Sequence, residues 1–165
     1  MNEDSKRSHF PFFIACRERV FLVVGGGRVA QRRVETLLNF DFKLCLVSPK
    51  VTPAIEDLAW AGRLTWRKGV FELDDLKDVF CATACTDDPS VNAQVGEACR
   101  ERGIWVNLCD NPGACDYYFP AVALGKMVVA GVTGDGRDHA AVVRAARQVR
   151  RALNESDINP ICEDE

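Results

Sequence analysis

Short apolar runs alternate along this chain with stretches in which apolar residues recur every three or four positions. Val20 to Val24 is the first run, and it ends at three glycines. Val29, Ala30, Val34, Leu37 and Leu38 then share one arc at the 3.6-residue period, which predicts a helix. Lys43 to Val47 reads as a second strand, closed by Ser48-Pro49. Thr52 followed by Pro53 is a helix start, with Thr52 as N-cap and Pro53 in the first turn. That helix should run to about Ala61 and stop at Gly62. Leu64 to Arg67 predicts a short third strand, followed by a loop holding Glu72, Asp74 and Asp75. Val79 to Cys85 is apolar almost throughout, the pattern of a strand buried on both faces. Asp88-Pro89 opens a helix lasting to about Arg102, and Ile104 to Leu108 gives a fifth strand.

Strands alternating with helices in this way predict an α/β fold, a Rossmann-like doubly wound parallel sheet. Asn111-Pro112-Gly113 breaks the alternation. Phe119 to Leu124 and Met127 to Thr133 then read as a β-hairpin around Gly125-Lys126, and Asp138 caps a final helix from His139 to about Leu153. The organisation expected is a nucleotide-binding domain over 10–112, a hairpin-plus-helix appendage over 113–154, and an acidic tail over 155–165.

Composition narrows the class without changing this outline. The chain has 165 residues, 47% of them apolar, enough for one domain with a real core and a small appendage. A net charge of −3 argues against general nucleic-acid affinity, because phosphate binders carry a basic excess. There is no apolar run of about 18 residues to span a membrane, and Met1 to His9 is too polar for a secretory signal. The 8 cysteines include no C-x-x-C pair, so buried free thiols are expected rather than a metal site. Such a chain fits a reducing cytoplasm.

The glycine turn carries the first chemistry. Gly25-x-Gly27-x-x-Ala30 lies between a buried strand and an amphipathic helix, the context that gives a dinucleotide fingerprint its meaning. Gly25 permits the tight turn, Gly27 leaves the backbone open to a pyrophosphate, and Ala30 lets helix and sheet approach. In such a sheet, ligands gather beyond the carboxyl ends of the strands. The place of the usual ribose-binding acid holds Ser48-Pro49-Lys50 instead. Backbone groups of Pro49 and Lys50 could hold an adenosine, and Lys50 could equally accept a 2′-phosphate, so spacing leaves NAD and NADP both open. Asp110, after the fifth strand, could move a proton at the nicotinamide end or simply initiate the turn before Asn-Pro. Arg33 falls inside the apolar arc of its helix, either reaching a bound anion or snorkelling over the sheet. Arg137 belongs to a second basic group near the final helix, with Arg144, Arg147 and Arg151; such a row can also be no more than a solvated face.

Five segments in order resemble the precorrin-2 dehydrogenases of siroheme synthesis: Val-Val-Gly-Gly-Gly-Arg-Val-Ala-Gln-Arg-Arg33, Leu-Val-Ser-Pro49, Ala-Cys-Thr-Asp-Asp-Pro-Ser-Val-Asn92, Val-Asn-Leu-Cys-Asp110-Asn-Pro and Cys115-Asp-Tyr-Tyr-Phe-Pro-Ala121. The similarity runs from about Phe10 to Arg147. It implies NAD as cofactor, held around Gly25, Gly27, Arg28, Val29, Pro49 and Lys50, with Thr86 near the cleft. It implies that Asp110 matches the family's catalytic aspartate, and that hydride and proton leave precorrin-2 to give sirohydrochlorin. Arg33 and Arg137 are then candidates for the carboxylates of the tetrapyrrole.

The chain departs from the family in two places. Thr133-Gly-Asp-Gly-Arg-Asp-His139 replaces a Ser/Gly-rich turn leading to Ser-Pro, which puts acids near a polyanion. The further helical module of many relatives is not in this chain. Ferrochelatase activity, the family's second reaction, is therefore expected to be weak or lost, with metal as substrate and no resident metal ion. A homodimer is expected through Met127 to Leu153, where Val142, Ala146, Val149 and Leu153 make an apolar stripe. The alternatives are a nucleotide-sensing domain, or a tetrapyrrole-binding relative without turnover.

Overall fold

The computed structural model describes residues 9–134, 136 and 138–156. They divide into two compact units, residues 15–118 and residues 119–156 with 9–14. In the first unit, β1 (Val20–Val24), β2 (Lys43–Ser48), β3 (Thr65–Lys68), β4 (Val79–Ala84) and β5 (Trp105–Leu108) form one sheet in the order β3-β2-β1-β4-β5. Every pairing in it is parallel. The order reverses between β1 and β4, which opens the crevice where doubly wound sheets take their ligands.

Local chemistry sets the helix ends. α1 (Arg28–Leu37) begins at Gly27, which offers no capping side chain. α2 (Pro53–Trp60) is capped by the Thr52 hydroxyl accepting from the Ile55 N–H, and Gly62 beyond it has φ +67°. Only a glycine tolerates that left-handed turn cheaply. α3 (Pro89–Glu101) starts at Asp88, whose carboxylate accepts from the Ser90 N–H at 2.8 Å and the Ser90 hydroxyl at 2.6 Å. Those two bonds hold the Asp88 carboxyl below its usual range.

Because side chains alternate along a strand, β1, β4 and β5 present two different surfaces. Leu22, Val24, Ala82, Ala84, Val106 and Leu108 join Val95, Ala98 and Cys99 of α3 in the aliphatic core. On the opposite surface Phe21, Val23, Thr83, Asn107 and Cys81 alternate with them, and Ala30, Val34 and Leu37 of α1 are buried on that side of β1. Val29, in the first turn of α1, is not part of the buried arc: it is 41% exposed.

The expected loop around Glu72 is instead a turn of 3₁₀ helix over Leu73–Leu76. Glu72 and Asp75 cap each other's backbone in a reciprocal box, and Arg67 grips both oxygens of Asp75. Acidic residues that read as loop in sequence therefore fasten this turn to β3.

The second unit has its own small sheet, β6 (Ala121–Leu124) antiparallel to β7 (Val129–Val132), with Gly125 N–H donating to the Val128 carbonyl at the turn. α4 (His139–Ser156) starts where Asp138 accepts from the Ala141 N–H at 2.9 Å. Its Ala146 is buried, Val142, Val149 and Leu153 are half-buried, and Arg150 donates to the Val122 carbonyl at 2.8 Å. The apolar stripe thus covers the helix's own hairpin. The exposed apolar residues of the hairpin are instead Leu124, Met127, Val128 and Val129, and in the same unit Phe10, Phe12, Phe13 and Ile14 are exposed as well.

Candidate functional site

The glycine turn and the ends of β2, β4 and β5 build one sheet edge in the first unit. Gly25 has φ +121°, and its N–H donates to the Val47 carbonyl at 2.9 Å. A Cβ there would stand 2.6 Å from the Cys85 carbonyl oxygen, so only glycine fits between β1 and β4. Gly26 is tighter still, since a Cβ would meet the Lys50 carbonyl oxygen at 2.0 Å. At Gly27 a Cβ would meet nothing within 4 Å, and the residue faces open space.

This arrangement fits a dinucleotide. The first helical bond of α1 runs from Gln31 N–H to Gly27 C=O. The amides of Arg28, Val29 and Ala30 before it point out of the helix start, where no side chain caps them. Open backbone at Gly27 and a positive helix end form the cradle that a pyrophosphate fills. Arg28 and Val29 are both exposed beside it.

Pro49 and Lys50 are exposed after β2. Ser48, which sequence reasoning passed over as a strand end, shapes this turn: its buried hydroxyl donates to the Lys50 carbonyl at 2.6 Å. Thr86 sits in a tighter mesh. Its N–H and hydroxyl donate to Asn92 Oδ1 at 3.1 and 2.8 Å, and Asn92 Nδ2 returns a bond to the Thr86 carbonyl at 3.1 Å. Asn92 is buried, and it holds the β4–α3 turn rigid. The sequence signal was there, a polar residue on the inward face of an amphipathic helix, but nothing in it pointed back to Thr86.

Asp110 lies two residues beyond β5. The Cys109 N–H still donates to the Ala84 carbonyl at 3.0 Å, so the strand carries Asp110 to the edge before the Pro112 turn. Its carboxylate is exposed and has no hydrogen-bond partner among the described residues. Asp116 plays a different part. Its Oδ2 accepts from the Val106 N–H and its own N–H donates to the Val106 carbonyl, both at 2.9 Å, covering the open edge of β5. His139 is an exposed first residue of α4 in the other unit. Arg137 lies outside the described residues.

Arg33 is half-buried and leans toward a group the motifs did not reveal. Cys85 and Cys109 follow the paired positions Ala84 and Leu108 on adjacent parallel strands, which puts their side chains on one surface. Cys109 is an exposed residue and Cys85 a buried one. A hydrogen bond from Cys85, the Arg33 guanidinium and the Thr83 hydroxyl together pull the Cys109 thiol down to about 6, against partial burial. The same bond, with burial, pushes the Cys85 thiol far up. Buried, small-hydrophobe behaviour holds for Cys81, Cys85 and Cys99, and fails for Cys109.

Deeper on this surface, Thr83 Oγ1 donates to Asn107 Oδ1 at 3.3 Å and Asn107 Nδ2 to the Tyr117 carbonyl at 3.1 Å. Tyr117 donates its hydroxyl to the Ala82 carbonyl at 2.9 Å, and burial keeps the phenol protonated well above its ordinary range.

Siroheme synthase of Xylella fastidiosa (strain M12) is 35% identical over 146 residues, 87% of this chain and 30% of its own length. Siroheme synthase of Sodalis glossinidius (strain morsitans) is 33% identical over 128 residues, 78% of this chain and 27% of its own length. The chain thus spans less than a third of these relatives. Among solved structures, SirC, precorrin-2 dehydrogenase, shares the fold with a TM-score of 0.73 at 24% identity, covering 90% of this chain and 73% of that one. A family model for NAD(P)-binding domains matches residues 12–121, which takes in the glycine turn and every strand of the parallel sheet. The open helix start at Gly27 says physically what that match says by sequence, and the chain belongs to the NAD(P)-binding family NAD_binding_7.

Proposed function

We propose that this chain oxidises precorrin-2 to sirohydrochlorin with NAD, as a precorrin-2 dehydrogenase of siroheme synthesis. One observation carries the reading: Asp110 stands exposed, its carboxylate without a partner among the described residues, on the same sheet edge as the glycine turn. A carboxylate without a structural task at that edge is suited to take a proton. The two siroheme synthases and the SirC fold support the same substrate.

The chain's own residues divide the work. The amides at the start of α1 and the open backbone of Gly27 bind the pyrophosphate. Pro49 and Lys50 border the adenosine side, while the Asn92 mesh holds Thr86 still at the mouth of the cleft. Asp110 receives the proton lost from precorrin-2. When bound, NAD supplies the hydride acceptor, and losing hydride and proton together extends the conjugated ring. Arg33 and Arg137 offer positive charge to the substrate's carboxylates.

NAD is preferred to NADP on the resemblance at Pro49 and Lys50, and equal or better turnover with NADP in matched assays would reverse that preference. Residues 10–112 serve the cofactor, and the hairpin with α4 serves substrate and assembly. The assembly proposed is a homodimer through Met127, Val128 and Val129, exposed on the hairpin. A monomer mass by light scattering at micromolar concentration would remove it. Metal insertion into sirohydrochlorin is expected to stay near the uncatalysed rate. The free thiols of the described cysteines fit a reducing cytoplasm.

The deciding experiment is incubation of the protein with precorrin-2 and NAD, following the absorption spectrum. Appearance of sirohydrochlorin at a rate proportional to protein supports the proposal. Cofactor binding with no spectral change would leave a nucleotide-sensing or tetrapyrrole-binding domain in its place.

A further inference from the structure

We propose that Cys109 and Cys85 are an oxidisable thiol pair, and that a peroxide converts them to a disulfide that distorts the glycine turn and weakens NAD(P) binding.

The geometry has three parts. The two residues extend the register of β4 and β5 by one position beyond Ala84 and Leu108. Neighbouring strands lie about 4.8 Å apart, inside the Cα separation that a disulfide spans. Their side chains leave the sheet on the same surface, and the Cys109 N–H donates to the Ala84 carbonyl at 3.0 Å, which holds the two strand ends side by side. Exposure is unequal in a useful way: Cys109 is an exposed residue and Cys85 a buried one. A small oxidant therefore reaches Cys109 first, and Cys85 is positioned to resolve the product.

The surroundings favour the thiolate at Cys109, which is the nucleophilic form. Arg33 from α1 gives positive charge, and the Thr83 hydroxyl lies 3.8 Å from the sulfur. Tyr117 and Cys115 are the other titratable side chains close by, and Asp110 follows directly in sequence. Cys115 is a poorer partner for Cys109. Its sulfur accepts from the Leu108 N–H at 3.1 Å and from Asn107 Nδ2 at 3.4 Å.

The chemistry balances with a hydroperoxide as oxidant. The Cys109 thiolate attacks the peroxide oxygen, the O–O bond breaks, and Cys109 becomes a sulfenic acid while hydroxide leaves. Cys85, giving up its proton, attacks the Cys109 sulfur. The S–S bond forms, the S–O bond breaks, and water departs. Two thiols have lost two electrons, and the peroxide has gained them.

Bond formation brings the sulfurs to about 2 Å, closer than any hydrogen bond. The link would join the ends of β4 and β5 beside the Cys85 carbonyl. That carbonyl is the surface against which Gly25 packs with no space for even a methyl group. Any adjustment of the linked strand ends is therefore felt at the turn that holds the cofactor.

The test uses the whole chain and does not require precorrin-2, so it stands or falls apart from the dehydrogenase reading. The reduced protein is treated with hydrogen peroxide, digested, and sequenced by fragment ions, while NAD(P) affinity is measured before and after. The expected result is a Cys85–Cys109 cross-link with several-fold weaker NAD(P) binding, both reversed by a thiol reductant. In Cys85→Ser the cross-link should vanish and a sulfenic acid at Cys109 should be trapped by a dione reagent. Cross-linking of Cys109 to Cys115, no cross-link at all, or a Cys85–Cys109 bond with unchanged NAD(P) affinity would each overturn the proposal.

Discussion

The two surfaces of the parallel sheet come from the same strands and live under different rules. Under α3, Leu22, Val24, Ala82, Ala84, Val106 and Leu108 pack into one aliphatic cluster. On the other surface, the alternate residues include Thr83 and Asn107, both buried. Burying such polar groups costs a few kcal/mol when unpaired. Here each has a partner, through the chain from Thr83 to Asn107 to Tyr117 to the Ala82 carbonyl. One surface supplies cohesion and the other positions polar groups toward the edge where Cys109 and Asp110 emerge. The lesson is that a central strand can be apolar to the eye and still be two-sided in function.

The largest test of that division is at the edge itself. Asp110→Asn keeps the size of the side chain and a turn-compatible residue before Asn111-Pro112, but removes the proton acceptor. The rate of precorrin-2 oxidation should fall by ~10²–10⁴-fold. NAD(P) affinity, measured by titration, should stay near the parent value because the phosphate cradle is elsewhere. Turnover close to parent would make Asp110 a turn residue only. With Asp116 committed to the edge of β5, the proton acceptor would then have to come from Cys109 or from outside this unit.

The second test is on the aliphatic surface. Leu22→Ala leaves a void beneath α3, and truncations of this kind cost ~2–5 kcal/mol. Chemical denaturation should show that loss, while turnover per folded molecule should hardly change at a temperature where the variant stays folded. A stable variant with low turnover would mean that the two surfaces are not separable.

How much of this was legible in the sequence depended on range. Among the described residues, all seven strands and four α-helices were readable because their signals are local: Val20 to Val24 before glycines, Thr52-Pro53, Asp88-Pro89, and alternation around Gly125. The glycine turn was readable at Gly25 and Gly27, whose spacing the fingerprint records, whereas Gly26, where a Cβ would meet the Lys50 carbonyl oxygen at 2.0 Å, fell on a position the fingerprint leaves open. The 3₁₀ turn at Leu73 was missed because its capping box depends on Asp75, whose other partner, Arg67, sits on a strand. Cys85 and Cys109 were missed for a stronger reason. They are far apart in sequence, lack any motif spacing, and meet only because β4 and β5 pair in one register. Exposure of Val29 and the inward use of the α4 stripe were likewise decided by neighbours that no periodicity names.

The smallest expected effect probes the polar surface without breaking it. Thr83 contributes a hydrogen bond that favours the Cys109 thiolate, alongside the stronger contributions of Cys85 and Arg33. Alkylation of Cys109, followed by peptide mass, should rise with pH around a midpoint of about 6 in the parent protein. An ordinary exposed thiol has its midpoint near ~8.5. The sign follows from which form is favoured. A thiol held down in pKa is already thiolate in neutral solution and loses reactivity only as pH falls through its folded value. Thr83→Val removes the hydroxyl and keeps the shape, so the midpoint should move upward while remaining below that of a free thiol, since Arg33 and Cys85 still act. The valine also removes the Thr83–Asn107 bond and leaves Asn107 Oδ1 with only the long contact to the Cys109 sulfur at 3.9 Å, at a stability cost of ~1–3 kcal/mol. An unmoved midpoint would show that Thr83 serves Asn107 alone. A midpoint at the free-thiol value in the parent protein would show that the polar surface does not tune the edge at all.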